Sequence, residues 1–261
     1  MMRSLYTAST GMFAQQLNID TLAHNMSNVN TVGYKKQRVE FQDLLYQVIR
    51  RPATGEEFNE PVGISVGLGV KPAAINTLFS QGSPQQTDNP LDVAIQGTAL
   101  FRVQAPGFED YLYTRDGAIK IDAEGNLVTA DGNLYVGVDP IPEDAYDVTV
   151  AKDGTVTYKV PGTDEPEEAG RLELVKFMNP AGLARLGGNL YQSTPNAGEP
   201  IDWDPEEDNT VALIPGYLEM ANVQIVEEMV GLITAQRAYE INSKVIQSAD
   251  EMLQTASNLR R

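Results

Sequence analysis

The sequence has no cysteine, one histidine and one tryptophan among its 261 residues. Without cysteine, neither a disulfide framework nor a thiolate metal site can form. The single histidine, His24, lies between Ala23 and Asn25 in a stretch of helical pattern without a neighbouring acidic cluster. Catalysis by histidine needs a base oriented by a third group. We therefore interpret His24 as a polar helix contact and predict no enzyme, with no catalytic residue, no metal and no cofactor.

Long hydrophobic runs are also missing. No apolar run reaches the roughly 18 residues needed to span a bilayer, although hydrophobic residues make up 42% of the chain. The N-terminal stretch MMRSLYTASTGMFAQQLNID is interrupted by Ser, Thr and Gln, so it lacks the apolar core of a signal peptide. We expect a packed core, no direct membrane insertion and, if the chain is exported, export without a cleaved signal peptide.

Positive charge is scarce in the middle of the chain. Residues 1–51 hold six Lys/Arg against three Asp/Glu, a charge of +3, and residues 218–261 hold four against six, a charge of −2. Since the net charge of the chain is −17, residues 52–217 carry −18. This distribution argues against nucleic acid and anionic lipid as partners. The densest acidic loop is 195–209, and we predict that it belongs to an acidic outer surface formed by Asp202, Asp204, Glu206 and Asp208.

The same acidic loop has alternating carboxylates like the opening of a calcium loop. An EF-hand would place glycine at its sixth position and glutamate at its twelfth, where this chain has Glu207 and Leu213. A solvated loop is therefore the favoured interpretation, with calcium as a weak alternative.

Both ends of the chain carry apolar residues at heptad spacing and lack proline. From Arg3 to about Asn28 the pattern is Leu5, Ala8, Met12, Gln15, Ile19, Leu22 and Met26. From about Leu218 to Asn258 it is Ile225, Leu232, Tyr239, Ile246 and Leu253, flanked by Met229, Ala235, Ala249 and Ala256. A period of seven predicts long helices that supercoil with a partner helix. We predict a terminal coiled-coil domain of residues 1–45 with 216–261, whose apolar seams are assembly interfaces.

Residues 71–215 are predicted to form a central β-rich domain. Short β-type runs such as LFRVQ (100–104), YDVTV (146–150) and TVTYKV (155–160) recur at about ten-residue spacing. Between them stand dipeptides that favour hairpin turns through a residue at positive φ: Asp116-Gly117, Glu124-Gly125, Asp131-Gly132 and Asp153-Gly154. The fold class is therefore α+β, with a mostly antiparallel β-domain between the terminal helices.

Residues 46–70 show prolines, glycines and no clean period, which predicts an extended linker or long loop. The linker has no private core, and we expect four of its apolar residues to contact a neighbouring subunit: Tyr46, Ile49, Phe58 and Ile64. The helical seams also favour a polymer, because two helices pairing alone would leave much apolar surface exposed.

Two long segments resemble the bacterial flagellar rod and hook family of axial proteins. STGMFAQQLNIDTLAHNMSNVNTVGYKKQRVEFQDLLYQ (9–47) is similar to the N-terminal signature of that family, and residues 216–259 to its C-terminal one. Residues 67–97 and 113–132 resemble its β-domain. One departure is Gly97-Thr98-Ala99-Leu100-Phe101, where the family often has Gly-x-Gly-Phe-Phe.

The resemblance implies a structural subunit of the basal-body distal rod. Such a subunit polymerises into a hollow helical drive shaft that crosses the periplasm and transmits torque from motor to hook. The implied partners are other copies of the chain, proximal rod proteins, the hook protein, the peptidoglycan-layer and outer-membrane ring proteins, and the flagellar export apparatus.

Alternatives remain open from the sequence. Within the family the chain can be a proximal rod or hook subunit. Outside it, an adhesin-like stalk with a β-head on a coiled coil shares the helix pattern, but such stalks gather their heptads in one block. A glycan hydrolase would need a carboxylate pair anchored on helices or strands, and the acidic residues here follow turns instead.

Overall fold

The computed structural model describes residues 2–51, 53–54, 59–60, 62–108, 110–162, 166–205, 208 and 210–258. The chain divides into two compact units. We call the first the helical unit; it comprises Met1–Met26, Gln37–Asn76 and Gln224–Arg261. We call the second the β unit; it comprises Ser27–Lys36 and Thr77–Val223. The predicted α+β class is confirmed, with helices near both termini and a mostly antiparallel β-domain.

The helical unit contains helix α1, Met2–Ser27, and helix α2, Ile225–Asn258. Helix α2 has Glu227 and Glu228 in its first turn, where negative charge interacts favourably with the helix dipole. It begins about seven residues later than the heptad pattern suggested, because residues 217–219 form a strand instead. A helix and a strand compete for these residues, and pairing with another strand decides the outcome.

Six strands of the described chain lie between residues 37 and 77, and they form antiparallel pairs. Strand β1, Gln37–Asp43, pairs with β6, Val70–Thr77. Between them, β2, Tyr46–Arg50, pairs with β5, Ile64–Gly67, and β3, Ala53–Thr54, pairs with β4, Asn59–Glu60. The stretch that the sequence analysis treats as an extended linker therefore contains paired strands. We call residues 46–67 the ribbon.

The β unit is built around a nine-stranded antiparallel sheet in the described residues. Its central strand is β9, Leu100–Gln104, which pairs with three neighbours. The other members follow in chain order: β10 Leu112–Thr114, β11 Lys120–Ile121, β12 Leu127–Val128, β13 Leu134–Tyr135, β17 Leu174–Lys176, β18 Ala184–Gly187, β19 Leu190–Gln192 and β20 Ile201–Asp202.

Smaller sheets complete the β unit. Strand β14, Tyr146–Val150, pairs with β15, Thr155–Lys159, which pairs with β16, Glu167–Arg171. The last two strands are β21, Ala212–Pro215, and β22, Tyr217–Glu219. They return along the unit to pair with β8, Val93–Gln96, and β7, Pro84–Gln86, respectively. One short 3-10 helix, η1, spans Pro180–Gly182.

The core of the β unit forms between these sheets. Phe101 and Val103 on β9 are fully buried, and the Phe101 ring meets the Tyr135 ring edge-on at 5.7 Å between centroids. Trp203 closes one side of the same cluster and carries the Arg171 guanidinium over its ring at 5.3 Å. Alternating apolar residues on short strands thus produce a main core cluster. A second cluster of the same unit includes Leu100, Tyr113 and Val175.

Three of the four predicted hairpin turns have the expected backbone. Gly125, Gly132 and Gly154 adopt φ of +82°, +84° and +88°, and each turn joins two paired strands. The prediction for Asp116-Gly117 is wrong, because β10 and β11 on its two sides do not pair with each other. Gly117 is instead a close-approach position, since a Cβ there would lie 1.7 Å from the Val93 carbonyl oxygen.

Candidate assembly surfaces

Helices α1 and α2 pack together in the helical unit through small and polar side chains. The buried residues of the two helices are Ala8, Ala14, Thr21 and Asn25 on α1, and Glu228, Ala235 and Ala249 on α2.

The predicted seam residues mostly border this contact. Ala8 is the one fully buried member. Those half-buried are Leu5, Met12, Ile19, Leu22, Met26, Leu232, Ile246 and Leu253. Those exposed are Ile225, Met229 and Tyr239. The heptad analysis favoured large apolar residues, whereas the small residues at neighbouring positions form the centre. The recurrence of glycine and alanine at 8, 11 and 14 and at 231, 235 and 238 is the sequence signal that identifies this centre.

A set of large apolar side chains on both helices remains accessible. We call the following residues the apolar face, each more than half exposed: Tyr6 and Phe13 on α1, and Val226, Val230, Ile233 and Ile241 on α2. Large apolar side chains that stay exposed together on a protein surface mark protein–protein contact sites. The helical unit therefore exposes apolar side chains that can contact another molecule.

The ribbon also exposes apolar side chains. Tyr46, Ile49 and Ile64 are 57%, 59% and 47% exposed, and Phe58, the fourth residue predicted to contact a neighbour, lies outside the described residues. The chain just after the ribbon lies against α1 within the helical unit. Gly69 has φ +123°, and a Cβ there would lie 2.3 Å from Thr10 Oγ1.

A buried ion cluster joins distant parts of the β unit. Lys35 Nζ lies 2.7 Å from Glu219 Oε1 and donates to the Ser80 carbonyl at 2.9 Å. Arg115 Nε donates to Glu219 Oε2 at 2.5 Å, and the Gly82 amide donates to Glu219 Oε1 at 2.7 Å. The three charged side chains are 2–4% exposed. We call them the Glu219 cluster.

The Glu219 cluster holds two cations against one carboxylate. Desolvation by burial, together with the nearby charge of Arg115, lowers the pKa of Lys35 in spite of its contact with Glu219. Arg115 also donates to the carbonyl oxygens of Ile95, Gly97 and Ala99. These bonds satisfy its guanidinium, so the cluster is a fully engaged structural element. Sequence reasoning did not find it.

The acidic loop is partly neutralised by cations of its own unit. Asp202 pairs with Arg102, and Asp208 pairs with Lys176. Hydrogen bonds, chiefly from Lys176 and secondly from Thr210, lower the pKa of Asp208 to about 2. Asp204 is exposed, and Glu206 lies outside the described residues. Two of the four predicted surface carboxylates thus balance local positive charge.

Two buried titratable groups of the β unit, Asp116 and Tyr135, serve local structure. Burial raises the pKa of Asp116, whose carboxylate accepts a hydrogen bond from the Ala118 amide at 3.0 Å. Burial also raises the pKa of Tyr135, whose hydroxyl donates to the Asp116 carbonyl at 3.0 Å. Within the described ranges, no group of three or more metal-ligating side chains converges. Neither described helix has a stretch apolar enough to cross a bilayer.

Comparison with known proteins adds an independent finding. Residues 5–35 match the family described as flagella basal body rod protein, residues 94–158 the flagellar hook protein FlgE/F/G D1 domain, and residues 214–259 the flagellar basal body rod FlgEFG protein C-terminal family. Three relatives carry the name flagellar basal-body rod protein FlgG. That of Borreliella burgdorferi is 46% identical, with all of both chains covered. That of Caulobacter vibrioides is 44% identical over 99% of this chain and 100% of its own length. That of Agrobacterium fabrum is 43% identical over 98% of each.

Proposed function

We infer that this chain, which belongs to the FlgG family of flagellar basal-body rod proteins, is a structural subunit of the distal rod of the bacterial flagellum. Members of this family are structural proteins of the flagellar basal body and not enzymes. The function of the chain is therefore to pack against its neighbours in the rod.

The observation that carries the mechanism is the apolar face on two long terminal helices. A monomer that keeps six large apolar side chains more than half exposed gains free energy when copies bury them. We propose that the helices supercoil as a coiled coil and that copies associate helically, with the helix pairs lining a hollow shaft. Identical copies related by one repeated operation produce such an open helical polymer.

The ribbon and the acidic loop have separate roles in this proposal. The exposed side chains of Tyr46, Ile49 and Ile64 support contact between the ribbon and a neighbouring copy. The negative charge of residues 52–217 supports an outer surface that faces the surrounding rings without fixed contacts, because charge acts across a thin water-filled gap within the screening length of about 8 Å. Asp202 pairs with Arg102 and Asp208 with Lys176, so part of the charge of the acidic loop is balanced within the β unit.

The proposed function also implies a position in the cell and a set of partners. We propose that the rod formed by this chain crosses the periplasm and carries torque from the motor to the hook. Its partners are further copies, proximal rod proteins, the hook protein, the peptidoglycan-layer and outer-membrane ring proteins, and the export apparatus. We propose that export proceeds without a cleaved signal peptide, supported by the interrupted apolar pattern of residues 1–20.

Localisation in isolated basal bodies tests the function. Basal bodies are purified from the bacterium that expresses the chain, and the chain is located by immunogold labelling. We expect label on the distal part of the rod. Deleting the gene is expected to leave short rods without hooks, and the intact gene supplied in trans restores both. Label on the hook, on the proximal rod or on the cell surface would contradict the assignment.

A further inference from the structure

Three contacts between α1 and α2 share one residue register. A Cβ on Gly11 would lie 2.9 Å from Asn242 Nδ2, and a Cβ on Gly231 would lie 3.4 Å from Leu22 Cδ2. Asn25 Nδ2 donates to Glu228 Oε2 at 3.0 Å. Facing residues of an antiparallel helix pair have a constant sum of residue numbers. Each of these three pairs gives the same sum, so one register holds over roughly 20 Å of helix.

The small residues at the centre of the contact do not select this register by themselves. If α2 slipped by seven residues, Gly11 would face Ala249 and Ser4 would face Ala256. Slippage the other way would bring Gly11 opposite Ala235. In each of these alternatives a small residue faces Gly11 in place of Asn242, so the lack of a Cβ at Gly11 does not exclude them. A different feature must distinguish the observed register from its heptad-spaced neighbours.

Asn25 and Glu228 form the one described polar pair in this contact with both side chains 1% exposed or less. The Asn25 amide is oriented by the backbone of Gln37, because Gln37 N donates to Asn25 Oδ1 at 2.9 Å and Asn25 Nδ2 donates to Gln37 O at 2.8 Å. This bonding fixes which side of the amide carries the hydrogens. The oriented Asn25 amide therefore offers Glu228 a hydrogen-bond donor only when Glu228 lies opposite Asn25.

We propose that Asn25 and Glu228 are register-determining residues that select one antiparallel alignment of α1 and α2. A slip by seven residues in one direction moves Glu228 past the end of α1, opposite residue 32, and moves Asn25 opposite Ala235. Glu228 then loses its oriented donor, and the buried Asn25 amide loses Glu228 as an acceptor, which is unfavourable for a buried polar group. A buried polar pair is an established means of fixing register between helices that pack well in several.

This selection has a consequence for assembly that rests on the proposed function. A slip of seven residues displaces α2 by roughly 10 Å along α1. It would move Val226, Val230 and Ile233 relative to Tyr6 and Phe13, so slipped and native copies would present different apolar faces. A helical polymer needs equivalent subunits. The register itself follows from the helix contacts whether or not the chain forms a rod.

The chain has no cysteine, so engineered cysteine pairs report the register without interference. The pair Ser4→Cys with Ala249→Cys reports the native register, because its residue numbers have the same sum as the three native contacts. Ser4→Cys with Ala256→Cys reports a slip in one direction, and Ser4→Cys with Asn242→Cys reports a slip in the other. A disulfide needs Cα atoms within about 7 Å, which a seven-residue slip exceeds. Each labelled full-length chain is mixed with a large excess of cysteine-free chain, so that its two cysteines meet only within one molecule.

We expect the native pair to cross-link roughly tenfold or more faster than either slipped pair. In the double variant Asn25→Leu/Glu228→Leu an apolar pair replaces the polar one. Helix content by circular dichroism should stay at the parent level, while at least one slipped pair approaches the rate of the native pair. Glu228→Gln, which keeps a hydrogen-bond acceptor, is the matched control and should retain the native preference.

Two results would overturn the proposal. One is a native preference that persists at full strength in the double leucine variant, because another feature would then set the register. The other is loss of helix content in that variant, because the polar pair would then be needed for helix pairing itself. Both results leave the rod assignment unaffected, since that assignment is tested by localisation in basal bodies.

Discussion

Lys35 Nζ and Glu219 Oε1 lie 2.7 Å apart in the interior of the β unit, although the two residues are 184 positions apart in the sequence. Lys35 belongs to the first segment of the unit, Ser27–Lys36, and Glu219 to its last strand. The pair therefore joins the point where the chain enters the β unit to the point where it leaves. The same carboxylate also holds Arg115, which follows the central strands.

Replacing Glu219 by glutamine should strongly destabilise the β unit. Two buried cations would lose their only charged partner in the Glu219 cluster, and leaving buried charge unpaired costs about 3–5 kcal/mol. The measurement is the free energy of unfolding by denaturant titration. Lys159→Gln is the matched control, because its ion pair with Asp147 lies on the surface of the same unit. We expect a change of about 1 kcal/mol or less for that control. Equal effects of the two substitutions would contradict the importance of the cluster.

Alkaline pH should favour the fold through Lys35. Burial lowers its pKa in the folded chain, so the folded state releases this proton at a lower pH than the unfolded state. The unfolded state then binds more protons in that window, and stability rises with pH up to the ordinary lysine pKa. The measurement is the difference in free energy of unfolding between the native chain and Lys35→Met as pH increases toward 10. The difference should shift in favour of the native chain. A shift in the opposite direction would show that Glu219 raises the pKa of Lys35 in the folded state.

Substituting the border of the helix contact should block assembly and spare the β unit. Leu232 and Ile246 are half-buried on α2, and an aspartate at either position would carry a charge into an apolar interface, at a cost of several kcal/mol. We expect Leu232→Asp and Ile246→Asp to abolish polymer formation, measured by sedimentation, with the near-ultraviolet circular dichroism of the β unit retained. Gln247→Asp is the control, because Gln247 is exposed on the same helix. Normal rods and motility with either seam variant would refute the assignment.

Removing the ribbon should make the polymer more flexible. The deletion spans residues 46–67 and retains Gly69 with its contact to Thr10. If the ribbon bridges neighbouring copies, its loss removes contacts that stiffen the shaft, and electron micrographs should show curved, hook-like polymers. A control that keeps the ribbon but changes Tyr46, Ile49 and Ile64 to serine should show the same bending if those side chains make the bridge. Straight, rigid polymers from the deletion variant would refute the proposed bridge.

The sequence predicted those parts of the fold that local patterns determine. The runs at 100–104 and 146–150 became β9 and β14 with the same bounds, because alternating apolar residues between turn dipeptides suit a strand. Gly117 was misread because a turn dipeptide looks the same whether the glycine supplies positive φ or merely space. Strands β2 and β5 were missed because their pairing closes over a long intervening stretch, which no local pattern records.

The candidate surfaces were predictable only in part for the same reason. Heptads identified both helices, yet the centre of their contact is formed by small residues that hydrophobicity alone does not emphasise. The Glu219 cluster leaves no trace in the sequence, since Lys35, Arg115 and Glu219 are ordinary charged residues until the fold brings them together. Similarly, the acidic loop gave no indication that Arg102 and Lys176 would neutralise two of its carboxylates.

The central claim is that copies of this chain build a helical shaft by burying the apolar face of their terminal helices. Electron microscopy of the purified, concentrated protein tests it most directly, with Ile241→Asp as the variant that disrupts the face and Gln247→Asp as its control. We predict hollow helical tubes from the native chain and the control, with the terminal helices on the inner wall, and no tubes from Ile241→Asp. Compact trimers with a β-head on a helical stalk, or monomers at every concentration, would contradict the account.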